Sequence, residues 1–189
     1  TMYSQGEQEI VIALAADTGK TIWEHKYDAP TAGMNYKEGL GPHSTPLLVV
    51  FALVNRPYIL DLRPGKSVVS HFVNHGFDTY NLDWGVPSDG DRFLNMEDYI
   101  ERYLDAVVDQ VRNRTDCDQI SVLGYCMGGS MSAMYSALHP EKVKNLILMA
   151  APVDWSNREY LLAKWTDASV FDVDKLMQVY GNAPAELLQ

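Results

Sequence analysis

The sequence predicts an α/β fold: a mainly parallel sheet with flanking helices, preceded by a β-hairpin. Three observations carry this. From Pro46 to Val153, short apolar runs alternate with segments of helical periodicity, the pattern of right-handed strand–helix–strand crossovers. The strand-like runs are apolar throughout rather than alternating, as strands covered on both faces are. A length of 189 residues, 47% of them apolar, is enough for one packed core.

The first 45 residues have a character of their own. EIVIALAADTGKTIWEHKY reads as strand, turn at Asp17–Lys20, strand, a β-hairpin. DAPTAGMNYKEGLGPHSTP, rich in glycine, proline and small residues, reads as a loop or linker. PLLVVFAL (46–53) is then the first buried strand. KSVVSHFVNHG (66–76) places Val68, Val69, Phe72 and Val73 on one helical face and ends on a glycine. DTYNLDW (78–84) is a second strand. The strongest helix runs from Met96 to Arg112, with Met96, Tyr99, Ile100, Tyr103, Leu104, Val107, Val108 and Val111 in one stripe and Asn95 as N-cap. QISVLGY (119–125) is a third strand, a helix follows from about Met127 to His139, and NLILMAAPV (145–153) is a fourth. The expected division is 1–45 hairpin and loop, 46–156 α/β core, and 157–189 the start of a helical region.

Charge and cysteine usage narrow the function classes. A net charge of −10 disfavours a nucleic-acid partner, whose phosphates would be repelled. The longest apolar run, Pro46 to Val54, is too short to span a bilayer, and the first residues show no signal-peptide pattern. Two cysteines, Cys117 and Cys126, make no disulfide framework and suit a reducing, cytoplasmic setting.

The chemistry centres on LGYCMGGS, residues 123–130. Gly124, Cys126 and Gly128 stand where a nucleophile elbow, G-x-S-x-G, has glycine, serine and glycine, between a buried strand and a small-residue helix. The tip of such a turn is strained, and its neighbours two positions away must be small. A helix N-terminus favours a thiolate there, and the Met127 N–H would face the oxygen of a tetrahedral intermediate. The alternative is a structural cysteine in a glycine-rich turn. Cys117, between two aspartates in RTDCDQI, reads as a bland surface thiol, since like charges disfavour its thiolate.

A thiol nucleophile needs a base, and none is apparent. His139 follows Cys126 by thirteen residues on one helix, roughly 20 Å away at 1.5 Å per residue, and reads as a helix-end residue. His71 and His75 share a helix face without a third ligand, so no metal site is expected. His25 and His43 lie in the hairpin and loop. Asp83 and Asp154 close strands at the edge where functional residues gather, and each could equally be a cap or turn residue.

These residues resemble a family. PLLVVFALVNRPYILDLRPGKSVV, GFDTYNLDWG, LGYCMGG and ALHPEKVKNLILMAAPVDW are similar to the catalytic subunit of polyhydroxyalkanoate synthases, the short two-component kind of bacteria and haloarchaea. The resemblance covers Thr45 to Gln189, and Asn55-Arg56-Pro57-Tyr58 and Asp83-Trp84 are its specific marks. It implies an α/β-hydrolase fold with a cap region. Cys126 would carry the growing polyester as a thioester, with a 3-hydroxyacyl-coenzyme A thioester as substrate and no cofactor or metal. Val54, in the loop after the first buried strand, would be the second oxyanion donor, and Asn55, Asp83 and Trp84 could line the site. The resemblance further implies a second synthase subunit, self-association and polyester granules in the cytoplasm. In that family the acid and histidine of the triad come after the cap, more than a hundred residues beyond the cysteine. On that expectation the chain stops inside the cap and, by itself, acylates slowly without elongating.

Upstream, EIVIALAADTGKTIWEHKYDAP is similar to one quinoprotein-like β-propeller repeat through Ala15, Thr18, Gly19 and Trp23. Residues 1–45 are either joined to the synthase segment near Ser44–Leu48 or the native opening hairpin of the hydrolase sheet. Two other functions remain open: a thiol-dependent hydrolase that opens lactones, and a non-catalytic fragment.

Overall fold

A computed structural model describes residues 45–85, 87–154, 156, 164, 167, 169 and 171–181, with the backbone of three strands ahead of them, at 10–14, 21–26 and 33–37. The chain divides into two compact units, Thr1–Pro152 and Val153–Gln189.

The first unit is built on a five-stranded sheet. Its strands are β3 (Gly33–Lys37), β4 (Leu47–Val50), β7 (Thr79–Asp83), β8 (Ile120–Tyr125) and β9 (Val143–Met149), in the order β3-β7-β4-β8-β9. Strand β4 pairs in parallel with β7 and β8, and β8 in parallel with β9. The four expected strands are therefore parallel neighbours, and their apolar runs explain why: Leu47–Val50 and Ile120–Gly124 are buried at every position. Strands β1 (Ile10–Leu14) and β2 (Thr21–Lys26) form the expected antiparallel hairpin. A short antiparallel pair, β5 (Asp61–Arg63) and β6 (Lys66–Ser67), leads into the first helix.

Three local expectations change. The segment read as loop before Pro46 contains β3, antiparallel to β7 with Asn35 opposite Asn81. Five residues of modest β-propensity between glycines and prolines give little signal, but β7 offers an unpaired edge that a strand must satisfy. Strand β4 also stops at Val50, earlier than the apolar run suggests. The Phe51 carbonyl leaves the ladder and accepts the Trp84 indole N–H at 2.7 Å. Last, the long helix starts with a widened, π-wound turn at Asp98–Leu104 before α2 (Asp105–Thr115). Its cap is as expected: the Asn95 side-chain oxygen accepts the Glu97 and Asp98 N–H groups, and the Asp98 carboxylate accepts the Asn95 N–H in return.

Helix α1 (Val68–Asn74) is capped by Ser67, whose hydroxyl accepts the Ser70 N–H at 2.7 Å. Helix α3 (Met127–Leu138) follows β8 directly. The sheet separates two apolar clusters. One joins Leu48, Val50, Tyr80, Leu82, Ile120 and Val122 to Ile100, Tyr103, Leu104, Val107, Val108 and Val111. The other gathers Leu47, Val49, Phe51, Leu60, Val69 and Leu123 beneath α1. In the second unit the described helix is α4 (Val173–Tyr180), capped by Asp172, whose carboxylate accepts the Lys175 N–H at 3.0 Å. No helix among the described residues is long and apolar enough to cross a membrane.

Candidate active site

Cys126 sits between the end of β8 and the start of α3, with φ 55° and ψ −127° and an exposed side chain. A non-glycine residue in that conformation is strained, and the packing around it shows what holds the strain. A β-carbon on Gly124 would meet the Gly129 Cα, the Gly128 carbonyl and the Ser132 hydroxyl. On Gly128 it would meet the carbonyls of Val50 and Phe51. On Gly129 it would run into Ala151 and, at 2.9 Å, the Gly124 carbonyl. The strand, the helix and the end of β4 thus touch backbone to backbone. Gly129 is as crowded as the two motif glycines, and the Gly-Gly doublet in the sequence was its signal.

The Cys126 N–H donates to the Met149 carbonyl at 3.0 Å and is not available to a ligand. The Gly129 N–H returns to the Cys126 carbonyl at 2.9 Å. Helix α3 begins at Met127, directly after Cys126, and the first turn of a helix leaves its leading N–H groups without helical acceptors. The Ser130 hydroxyl fastens the same turn to the Pro152 carbonyl at 2.5 Å. Next to Met149, Ala150 also has a positive φ, 50°.

The loop after β4 faces this turn. Phe51 stacks on Tyr125, with ring centroids 5.3 Å apart, and Val54 and Asn55 are exposed beyond it. Asp83, at the end of β7, accepts the Gly85 N–H at 2.9 Å and lies 3.6 Å from the Arg56 guanidinium. Arg56 also donates to the Gly85 carbonyl at 2.8 Å. Trp84 is buried, its ring edge-to-face with Tyr99 and its N–H on Phe51. It supports the loop and presents almost no surface.

The other candidates lie elsewhere. His139 caps the far end of α3, its ring tilted over Tyr135 and its nitrogens 3.2 Å from Glu101 and 3.6 Å from Glu141. His71 on α1 and His75 at its C-cap have ring centroids 4.3 Å apart, and His75 Nδ1 contacts the His71 carbonyl at 2.7 Å. No group of three metal-binding side chains gathers among the described residues. Asp154, in the second unit, accepts the Ser156 N–H at 2.9 Å, and that bond holds its carboxyl below the usual range. Cys117 is half-buried, its thiol 3.4 Å from the Thr115 carbonyl. The His25 side chain and all of His43 lie outside the described residues.

Residues 59–186 match the model of the alpha/beta hydrolase fold family. A Poly(3-hydroxyalkanoate) polymerase subunit PhaC of Haloferax mediterranei is 49% identical over 146 residues, 77% of this chain and 30% of its own length. The subunit of the same name from Thiocystis violacea is 39% identical over 194 residues, 97% of this chain and 52% of the relative. That alignment takes in nearly all of the segment before Pro46. The chain spans about half the length of these relatives or less. Among solved structures, MenH from S. aureus superposes with a TM-score of 0.51 at 18% identity, over 82% of this chain and 62% of that one. A putative lipase from Sulfolobus solfataricus gives 0.51 at 16% identity, over 68% of this chain and 49% of that one. The elbow geometry, the parallel sheet order and the family match agree: the chain is similar to poly(3-hydroxyalkanoate) polymerase subunits and belongs to the alpha/beta hydrolase fold family.

Proposed function

We propose that Cys126 is the nucleophile of a polyhydroxyalkanoate synthase, an acyltransferase that polymerises 3-hydroxyacyl-coenzyme A. The observation that carries this is an exposed cysteine at φ 55° on a strand-to-helix turn, in a chain similar to polymerase subunits. In the first step the Cys126 sulfur bonds to the acyl carbon, and the oxyanion is met by the N–H of Met127 and of the loop after β4, Val54 in our assignment. The carbon–sulfur bond to coenzyme A then breaks and its thiolate leaves. One thioester replaces another, so the step is nearly thermoneutral and the acyl group stays activated. Chain growth is attack by the hydroxyl of a second 3-hydroxyacyl-coenzyme A on that thioester: the ester bond forms, the carbon–sulfur bond to Cys126 breaks, and the cysteine thiolate is freed to take the next acyl group. The hydroxyl must lose its proton, and general-base help with such a transfer contributes about 10²–10⁴-fold. Among the described histidines none bonds to Cys126, and His71, His75 and His139 are engaged elsewhere.

On the same reading the working enzyme takes no cofactor or metal. It pairs with a second synthase subunit, self-associates, and sits at polyester granules in the cytoplasm. Residues 1–45 are then native to the protein, with β3 as the edge strand of the hydrolase sheet and β1 and β2 paired in a sheet of their own. Two observations support that: β3 pairs with β7, and the alignment extends over 97% of the chain.

Incubation with 3-hydroxybutyryl-coenzyme A tests the reading. Coenzyme A release should equal one 3-hydroxybutyryl adduct per chain, mapped to Cys126 by mass spectrometry and lost in Cys126→Ala. Faster turnover of a lactone than of the thioester would replace the polymerase by a thiol hydrolase, and no adduct with either substrate would leave a non-catalytic chain.

A further inference from the structure

Two sequence features mark this chain beyond the elbow, Asn55-Arg56-Pro57-Tyr58 and Asp83-Trp84, and neither has a place in the chemistry above. The structure brings them together. From the end of β7, Asn81 donates to the Pro57 carbonyl at 3.4 Å, Trp84 to the Phe51 carbonyl at 2.7 Å, and Arg56 reaches back to the Gly85 carbonyl at 2.8 Å. Asp83 closes the set, 3.6 Å from the guanidinium while holding the Gly85 N–H at 2.9 Å. All four ties span the stretch from Phe51 to Pro57. On its other side the same stretch meets the elbow: the Val50 and Phe51 carbonyls lie against Gly128, and the Phe51 ring stacks on Tyr125.

We propose that Arg56, held by Asp83 and Gly85, is a positioning residue that fixes the loop after β4 at the distance from Cys126 where its N–H can meet a developing oxyanion. This rests on the acyl-transfer reading above and adds to it which side chains set the second donor. A loop with exposed Val54 and Asn55 and no ladder partner after Val50 would otherwise sample several positions. Oxyanion donors act only when pre-organised to within a fraction of an ångström. Phe51 and Pro57 are tied separately, by Trp84 and Asn81, so removal of Arg56 is expected to act on the segment between them and not on the whole loop.

The test compares two reactions of the same sulfur in the 189-residue chain. Acylation by p-nitrophenyl acetate passes through a tetrahedral oxyanion, and alkylation by iodoacetamide does not. Losing a whole oxyanion donor costs about 10²–10³-fold. Arg56→Ala, which loosens one donor, should therefore slow Cys126 acylation by about 10- to 100-fold and leave alkylation within about twofold. Arg56→Lys and Asp83→Asn, which keep part of the contact, should fall between, and they decide the matter if Arg56→Ala does not fold. Unchanged acylation in the soluble variants, or a parallel fall of both reactions, would overturn the proposal. So would a wild-type Cys126 that alkylates but never acylates. If p-nitrophenyl acetate acylates Cys126 and 3-hydroxybutyryl-coenzyme A does not, the substrate assignment fails while the ratio of the two reactions still judges Arg56.

Discussion

Strands β8 and β9 are parallel neighbours of nearly the same apolar content, and the fold treats them differently. Cross-strand partners make the contrast residue by residue: Leu123 is 2% exposed and its partner Ile147 40%, while Val122 is fully buried and its partner Leu146 is 37% exposed. Strand β8 lies between β4 and β9 and carries the elbow. Strand β9 has no second neighbour among the described residues. A run such as Asn145-Leu146-Ile147-Leu148-Met149 therefore says that a strand forms, but how far it is buried depends on what packs against it. β8 is held by burial, whereas β9 is held by its ladder to β8 and by polar ties at its start.

The sharpest break of this contrast is at the pair Gly124 and Leu148. Valine at Gly124 would drive its side chain into the Gly129 Cα, the Gly128 carbonyl and Ser132. Two of these are backbone and cannot rotate away, so the overpacking lies above the usual ~1–3 kcal/mol. Gly124→Val should leave no folded protein by circular dichroism, while Leu148→Val, at an exposed partner position, should keep the wild-type melting temperature within a few degrees. A folded Gly124→Val with reactive Cys126 would mean that the close packing does not hold the elbow.

That asymmetry also explains what the sequence could and could not show. The four parallel strands, the elbow and the α3 boundaries were legible because each rests on local facts: unbroken apolar runs, and small residues where backbones must touch. Strand β3 was not, because GMNYK owes its conformation to the open edge of β7 and not to its own residues. The widened turn at Asp98–Leu104 keeps the same buried stripe as a regular helix, so periodicity could not reveal it. Arg56 and Asp83 were visible as unusual residues, but their contact joins positions far apart in the chain, which one sequence does not record. In the sequence Trp84 reads as a residue that could line the site. Its indole packs in the core and donates to the Phe51 carbonyl, which lies against Gly128.

A gentler comparison removes the same kind of side chain from each strand. Leu123→Ala should cost about 2–5 kcal/mol, the transfer loss plus a cavity beneath α1. Ile147→Ala, on a position already open to solvent, should cost well under about 1 kcal/mol. Urea unfolding of both variants at neutral pH gives the difference. Equal losses would show that β9 is covered in solution, and a loss that falls on dilution would assign the cover to self-association.

The smallest effect concerns how β9 stays attached. Lys142, one residue before the strand, donates to the Asp105 carboxylate at 2.6 Å and to Asp109 at 3.0 Å, and the Tyr135 hydroxyl donates to Asp105 at 2.7 Å. Burial alone would raise the Asp105 pKa, but the bonds from Lys142 and Tyr135 and the Lys142 charge outweigh it and hold the carboxyl below its usual range. Burial lowers the Lys142 pKa, but its two carboxylate partners outweigh that and hold the ammonium above its usual range. A depressed carboxylate contributes stability above its unfolded pKa of about 3.9 and loses it as pH falls through the folded value. A raised ammonium contributes below about 10.4 and loses it as pH rises through its own folded value. The tie is thus constant across neutral pH and weakens at both extremes. Since the pair is largely but not fully buried, Lys142→Met should cost about 1–2 kcal/mol at pH 7. The gap between wild type and variant in urea unfolding should shrink as pH falls from about 5 towards 2. A gap that stays constant over that range would mean that Lys142 holds β9 through its aliphatic stem, and that the two strands differ in exposure but not in the kind of force that fixes them.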